Sequence, residues 1–197
     1  MSSASWRTAP RPSSAGLHSF NHTKLVLKYK PAPCGIDSNL LLLLHGLGDT
    51  ADPFFSLGQR LQQTLPQTAV LSVQAPLRVP LLEEEAWMWY DSFDALGEVR
   101  LNPDPRRAMK DITHLLTYLT APVSQGGCGW AYEHMHALGF AQGGSVLLET
   151  LIATRANAFG SAVSRRVFAS SHAMPDHLRC RVRLAPTSRP CSERSAM

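Results

Sequence analysis

Residues 134–149, His-Met-His-Ala-Leu-Gly-Phe-Ala-Gln-Gly-Gly-Ser-Val-Leu-Leu-Glu, hold the strongest chemical pattern in the chain. A short apolar run ends in Gly139, a Gly-Phe-Ala-Gln-Gly turn follows, and helical spacing resumes behind it. A sharp strand-to-helix turn of this kind lifts its middle residue above the edge of a sheet, where a nucleophile meets substrate. Gly139 and Gly143 flank that residue because the turn leaves no room for Cβ atoms and asks for unusual backbone angles. With serine in the middle, the chemistry would be attack on an acyl carbon. The middle residue is Ala141. A methyl group cannot attack a carbonyl. Ser145, one helical turn deeper, reads as a packing or hydrogen-bonding residue rather than a replacement.

A second glycine loop, His45-Gly46-Leu47-Gly48-Asp49-Thr50, follows the run Leu40–Leu44. Two glycines there let the backbone curl so that N–H groups can point into a cleft. One such donor near Leu47, with the N–H of Gln142 just after the elbow, could hold the negative oxygen of a tetrahedral intermediate. Taken alone, Gly-x-Gly after a strand equally describes a phosphate loop or a plain tight turn. Asp49 reads as a helix cap or loop residue.

These loops need a sheet to hold them. Residues 24–30 alternate as an edge strand guarded by lysines. Leu40–Leu44 and 69–73 are continuous apolar runs, the pattern of strands buried on both faces of a parallel sheet. Apolar side chains at helical spacing (Phe54, Leu57, Leu61, Leu65) predict a helix over 53–65, closed by Pro66. Pro105 opens another through 119, with Met109, Ile112, Leu115, Leu116 and Leu119 inward and His114 a packing or solvent-facing residue. Residues 134–139 feed the elbow, and 142–155 form the helix behind it. Glu83–Glu85 read as a solvated loop or helix face, and the aromatic-dense Trp87–Asp91 as either core packing or a wall for an acyl chain. Alternating strands and helices give an α/β fold with a mostly parallel sheet. Ligands of such sheets bind at the carboxyl ends of the strands, where both glycine loops fall.

The chain has 197 residues, enough for one domain with a good core. Its apolar fraction of 44% and charged fraction of 17% are those of a globular protein. Four cysteines lie far apart with no C-x-x-C pair, which fits reduced thiols inside a cell. No stretch is long and apolar enough for a membrane span, and no secretory signal opens the chain. Residues 1–20 read as a disordered polar tail with a weak likeness to a mitochondrial transit peptide. The net charge of +4 is not spread evenly. Residues 161–197 hold seven arginines against Asp176 and Glu193, so the first 160 residues carry 12 basic and 13 acidic groups. Basicity confined to a tail argues against nucleic acid as a partner.

His45-Gly-Leu-Gly-Asp-Thr50, Ala75-Pro76, Met88-Trp-Tyr-Asp91 and Gly139-Phe-Ala-Gln-Gly-Gly144, in this order and spacing, resemble the phospholipase/carboxylesterase family of α/β hydrolases, which includes acyl-protein thioesterases. The resemblance covers roughly residues 24–160. It implies an α/β-hydrolase fold and a cytoplasmic protein with no cofactor and no metal. It further implies small-molecule or lipid acyl esters or thioesters as substrates, with acylated proteins among them. An oxyanion hole at Leu47 and Gln142 and an acyl groove lined partly by Trp87, Trp89 and Tyr90 follow from the same resemblance. The departures are equally specific. Ala141 replaces the family's serine. Asp176, in His172-Ala-Met-Pro-Asp176, is a weak candidate for the acid, and no histidine follows His177 to serve as the base.

From residue 164 onward the strand-and-helix alternation gives way to arginine, serine and proline. The chain therefore divides into a tail at 1–20, an α/β-hydrolase domain at 21–163 and a divergent basic tail at 164–197. That last segment is either disordered or a replacement that covers the sheet edge, and an alternative exon or reading frame would produce its composition. Three functions stay open: a hydrolase with little or no turnover, a non-catalytic acyl-binding protein, and a truncated non-functional product.

Overall fold

The computed structural model describes residues 10–21, 23–94, 96–154 and 159–165. A five-stranded sheet forms the centre, in the order β1-β3-β2-β6-β7. The strands are β1 (Val26–Lys30), β2 (Asn39–Leu44), β3 (Thr68–Gln74), β6 (Met135–Phe140) and β7 (Ser161–Arg165), and only β1 runs antiparallel to its neighbour. The lysine-bearing β1 takes one edge, as its alternation predicts. The unbroken apolar runs become the inner strands β2 and β3, whose side chains are needed on both faces.

Helix α2 (Ala51–Leu61) lies against β2 and β3, with Gly58 so close that a Cβ there would sit 2.4 Å from Val70 Cγ1. It ends four residues before Leu65, which is 47% exposed rather than inward. Gln62 ends the helical spacing by turning its amide to Pro31 O and Thr68 O. Helix α3 (Arg106–Thr120) buries Ile112, Leu115, Leu116 and Leu119 as its spacing predicts. Helix α4 (Ala141–Ala153) buries Val146, Leu147 and Thr150. Together these bury one core with Leu40, Leu42, Leu71 and Ala137. No helix among the described residues is long and apolar enough to cross a membrane.

One expectation is corrected. Residues 14–20 are not a disordered tail: Ser14–Asn21 form helix α1, with Leu17 fully buried. The helix lies on α3, where a Cβ on Gly16 would meet Tyr118 Oη at 2.3 Å, and the Ser14 hydroxyl accepts the Leu27 N–H at 2.7 Å. One leucine and one glycine in register with α3 anchor a segment whose composition is polar. Over 77–88, which the sequence left without an element, β4 (Leu77–Arg78) and β5 (Trp87–Met88) pair as a small hairpin outside the main sheet. Two-residue strands are too short to show period-two alternation. Glu83–Glu85 lie in its connecting loop and are exposed. Strand β7 carries the sheet to Arg165, two residues into the segment expected to diverge.

Candidate functional site

The order of the sheet places the site. From β2 the chain moves to β3 on one side, and β6 pairs with β2 on the other. The carboxyl ends of β2 and β6 therefore flank a topological switch point, where open α/β sheets bind ligands. One end carries the 45–50 loop and the other carries Ala141.

Ala141 opens α4 with φ 45, and Leu81 is the other described non-glycine residue at positive φ. Left-handed backbone costs an L-residue roughly 1–2 kcal/mol. The strain expected of the glycines falls on the central residue instead. Gly139 and Gly143 have ordinary φ, and their reason is space. A Cβ on Gly139 would lie 2.6 Å from Gly144 Cα, and one on Gly143 would lie 2.3 Å from His45 O. Ala141→Gly should therefore stabilise the fold, by about 0.5 kcal/mol once the extra freedom of unfolded glycine is offset. A urea midpoint lowered by this change would contradict the strain.

Gln142 is the buried clasp of the site. Its side-chain Oε1 accepts the Trp89 N–H at 2.6 Å, and its Nε2 donates to Tyr90 O at 3.1 Å and Ser92 Oγ at 2.8 Å. Trp89 Nε1 donates to His45 O at 2.8 Å. The backbones of Gly48 and Trp87 meet through Gly48 N–H to Trp87 O at 2.9 Å, and Trp87 N–H returns to Asp49 O. Segment 87–92 is thereby tied to both glycine loops. Replacing Gln142 with methionine keeps the shape and removes all three bonds, leaving a buried Trp89 N–H without its acceptor. The expected cost is about 2 kcal/mol in chemical denaturation, and a loss below about 0.5 kcal/mol would show that the clasp carries no load.

His45 stands beneath the same loop, fully buried. Its Nε2 accepts the Ala75 N–H at 3.0 Å and faces Gln74 Nε2 at 3.1 Å, so the ring proton sits on Nδ1 and is donated to Gly46 O at 2.7 Å. Burial lowers its pKa below the ordinary histidine value, against upward pulls from the Gly46 bond and from Asp49. A neutral ring with both nitrogens engaged braces the loop and is not free to take a proton. Asp49 accepts the Thr50 N–H at the start of α2, as a loop residue should.

A cavity of about 600 Å³ opens above Ala141, lined by Leu47, Tyr90, Phe93, Val99, Gln142 and Ser145, among others. Among the described residues no histidine lines it. Ser145 donates its hydroxyl to Ala141 O at 3.3 Å, the back-bond of a helical serine. Glu149 continues the same face of α4 to the cavity wall. The aromatic segment divides. Tyr90 lines the cavity, whereas Trp89 is 1% exposed and serves as a brace, and Trp87 is absent from the wall. Of the three aromatics expected on one wall, Tyr90 alone lines this cavity, and Trp89 reaches only a smaller neighbouring pocket. Asp176 lies outside the described residues. The roles of Gln142's side chain and of His45 were not legible in the sequence, because their partners stand 29 to 53 residues away.

Fold and site together define an α/β hydrolase: a mostly parallel sheet, a strained elbow after β6, and a backbone loop facing it after β2. The phospholipase/carboxylesterase family model matches residues 32–184, and the chain belongs to that family. It is 44% identical over 158 residues to an uncharacterized hydrolase of Mycosarcoma maydis, covering 79% of this chain and 57% of that protein. A second uncharacterized hydrolase, from Schizosaccharomyces pombe, is 30% identical over 115 residues, covering 56% and 44%. The chain thus spans about half the length of these curated relatives. Solved structures similar to it include esterase PE8, at 25% identity and TM-score 0.49, covering 65% of this chain and 57% of that one. Acyl-protein thioesterase 2 of Zea mays is 21% identical with TM-score 0.45, covering 68% and 54%.

Proposed function

We propose that this chain binds acyl esters or thioesters in the cavity above Ala141 and turns them over weakly or not at all. The observation that carries this is the elbow itself. The backbone geometry that presents a nucleophile is kept, at the cost of strain, around a side chain that has none. Gln142, as second residue of α4, offers a backbone N–H that the helix leaves without an intrahelical acceptor, and Leu47 faces it across the cavity. These are the donors proposed for the acyl oxygen. Leu47, Phe93 and Val99 supply apolar walls for the chain attached to it. The family membership supports ester-bond substrates, and the proposal extends to acylated proteins in a cytoplasmic setting.

The test is saturable binding of a fluorescent long-chain fatty acid, compared with Ser145→Phe, which fills the cavity from its α4 wall. The variant should bind at least about tenfold more weakly with an unchanged melting temperature. Absence of saturable binding, or binding that ignores Ser145→Phe, would remove the cavity as the acyl site.

A further inference from the structure

Beside the cavity wall at Phe93 and Val99 stands a surface that the acyl-binding reading leaves unused. Two loops form it. The first is the β4–β5 connection, closed by Val79 N–H to Ala86 O at 2.8 Å and clamped by Arg78, whose guanidinium donates to Glu84 O at 3.0 Å. The second runs from Phe93 to Val99, which bridge each other in antiparallel fashion. Asp94 builds its turn, with Oδ1 accepting the N–H groups of Leu96 and Glu98, each at 2.9 Å. The two tips touch: Leu81 Cδ1 lies 3.1 Å from where a Cβ on Gly97 would stand.

Both tips turn large apolar side chains outward. Leu81 is 81% exposed, Leu96 83% and Val99 74%, and Leu101 just beyond is 95% exposed. Leu81 is held there at φ 65, a conformation that leucine rarely adopts. Scattered surface leucines need no explanation, but a ridge on two braced loops beside a cavity does. Its electrostatic setting is specific. Residues 77–101 hold six acidic groups (Glu83, Glu84, Glu85, Asp91, Asp94, Glu98) against two basic ones (Arg78, Arg100), a net of −4 inside a chain of +4.

We infer that this ridge docks a basic, amphipathic polypeptide segment, its apolar face on Leu81, Leu96 and Val99 and its lysines or arginines on Glu83–Glu85 and Glu98. The charge selects the partner. An anionic lipid surface would also accept leucines, but it would be repelled by the carboxylates that flank them. A polypeptide with apolar and basic residues at helical spacing satisfies both features. Val99 belongs to both the ridge and the cavity wall, so a segment seated here lies beside the cavity.

The probe is a synthetic amphipathic Leu/Lys helix peptide without any acyl group, so its result is independent of the acyl-binding proposal. Its Leu/Glu counterpart serves as the charge control. Binding to the unmodified chain is read by fluorescence anisotropy and should weaken at least fivefold or so from low to physiological salt. The triple change Glu83→Gln, Glu84→Gln, Glu85→Gln should weaken it about tenfold, as should Leu81→Gly with Leu96→Ser. Leu81→Gly relieves the positive φ, so this second variant keeps the loop folded, which a thermal melt verifies. Equal affinity for the Leu/Glu peptide, or no binding of either, would overturn the inference. So would stronger sedimentation with phosphatidylcholine–phosphatidylserine vesicles than with phosphatidylcholine alone, if Leu81→Gly with Leu96→Ser abolishes it.

Discussion

The Ala141→Ser variant should take up a fluorophosphonate probe at residue 141, slowly for want of a histidine base, whereas the unmodified chain should take up none. The turn already exists, so the new hydroxyl would stand at the head of α4 on the residue with φ 45. The methyl it replaces faces the 45–50 loop, lying 3.4 Å from where a Cβ on Gly46 would stand. The start of a helix favours the negative charge that builds on an attacked centre. Backbone donors and binding alone leave residual catalysis of about 10³–10⁴ over water in hydrolases that lack a triad member, so slow labelling is expected even with no histidine on the described cavity wall. Intact mass after timed exposure gives the rate, and peptide mapping gives the residue. Labelling of the unmodified chain, at Ser145 or Ser92 for instance, would refute the proposal that the cavity lacks a nucleophile. A silent serine variant that melts normally would show that the donors proposed at Leu47 and Gln142 do not compensate for the absence of a histidine base from the described cavity wall.

Gly143→Ala should destabilise the fold by about 3 kcal/mol, near the upper end of what overpacking costs. In a domain of this size that lowers the melting temperature by roughly 6–12 °C. The new methyl would sit 2.3 Å from His45 O, 2.9 Å from Trp89 Nε1 and 3.0 Å from Leu44 C. None of these can retreat cheaply. His45 O is the acceptor of the Trp89 indole, Leu44 is the last residue of β2, and Trp89 is held by Gln142. The methyl would therefore separate the two loops whose approach makes the site. Gly126→Ala provides the comparison, since Gly126 has φ 80 but nothing within 4 Å of its would-be Cβ. It meets only the strain of a side chain at positive φ, partly offset by the lost freedom of unfolded glycine, about 1 kcal/mol net. A Gly143→Ala melt no lower than that of Gly126→Ala would show that the close approach is softer than the distances imply.

Much of the architecture was legible because it is written in local pattern. Leu40–Leu44 and 69–73 are inner strands for the reason their composition predicts, namely burial on both faces. The apolar stripe of 106–120 is the buried face of α3. Helix α1 was not legible, since its hold on the fold is a single leucine and a glycine that matter only when α3 lies alongside. The β4–β5 hairpin was too short to carry a period. Among the aromatics, Trp87, Trp89 and Tyr90 are equivalent by type, and only their placement separates the brace from the cavity wall.

The sequence by itself determined that an elbow exists, that a second glycine loop faces the same sheet edge, and that the residue presented there is an alanine. Those facts depend on residue identity and on spacing within a few positions, which local sterics read directly. The tertiary structure decided the rest: that strain falls on Ala141, that Gly139 and Gly143 are required by neighbours rather than by φ, and that Gln142, His45 and Trp89 lock the loops together. It also decided that leucines and carboxylates from two separate loops form one ridge. Each depends on atoms brought together from distant parts of the chain, and such contacts leave no periodicity to read until the sheet order has set which strands are neighbours.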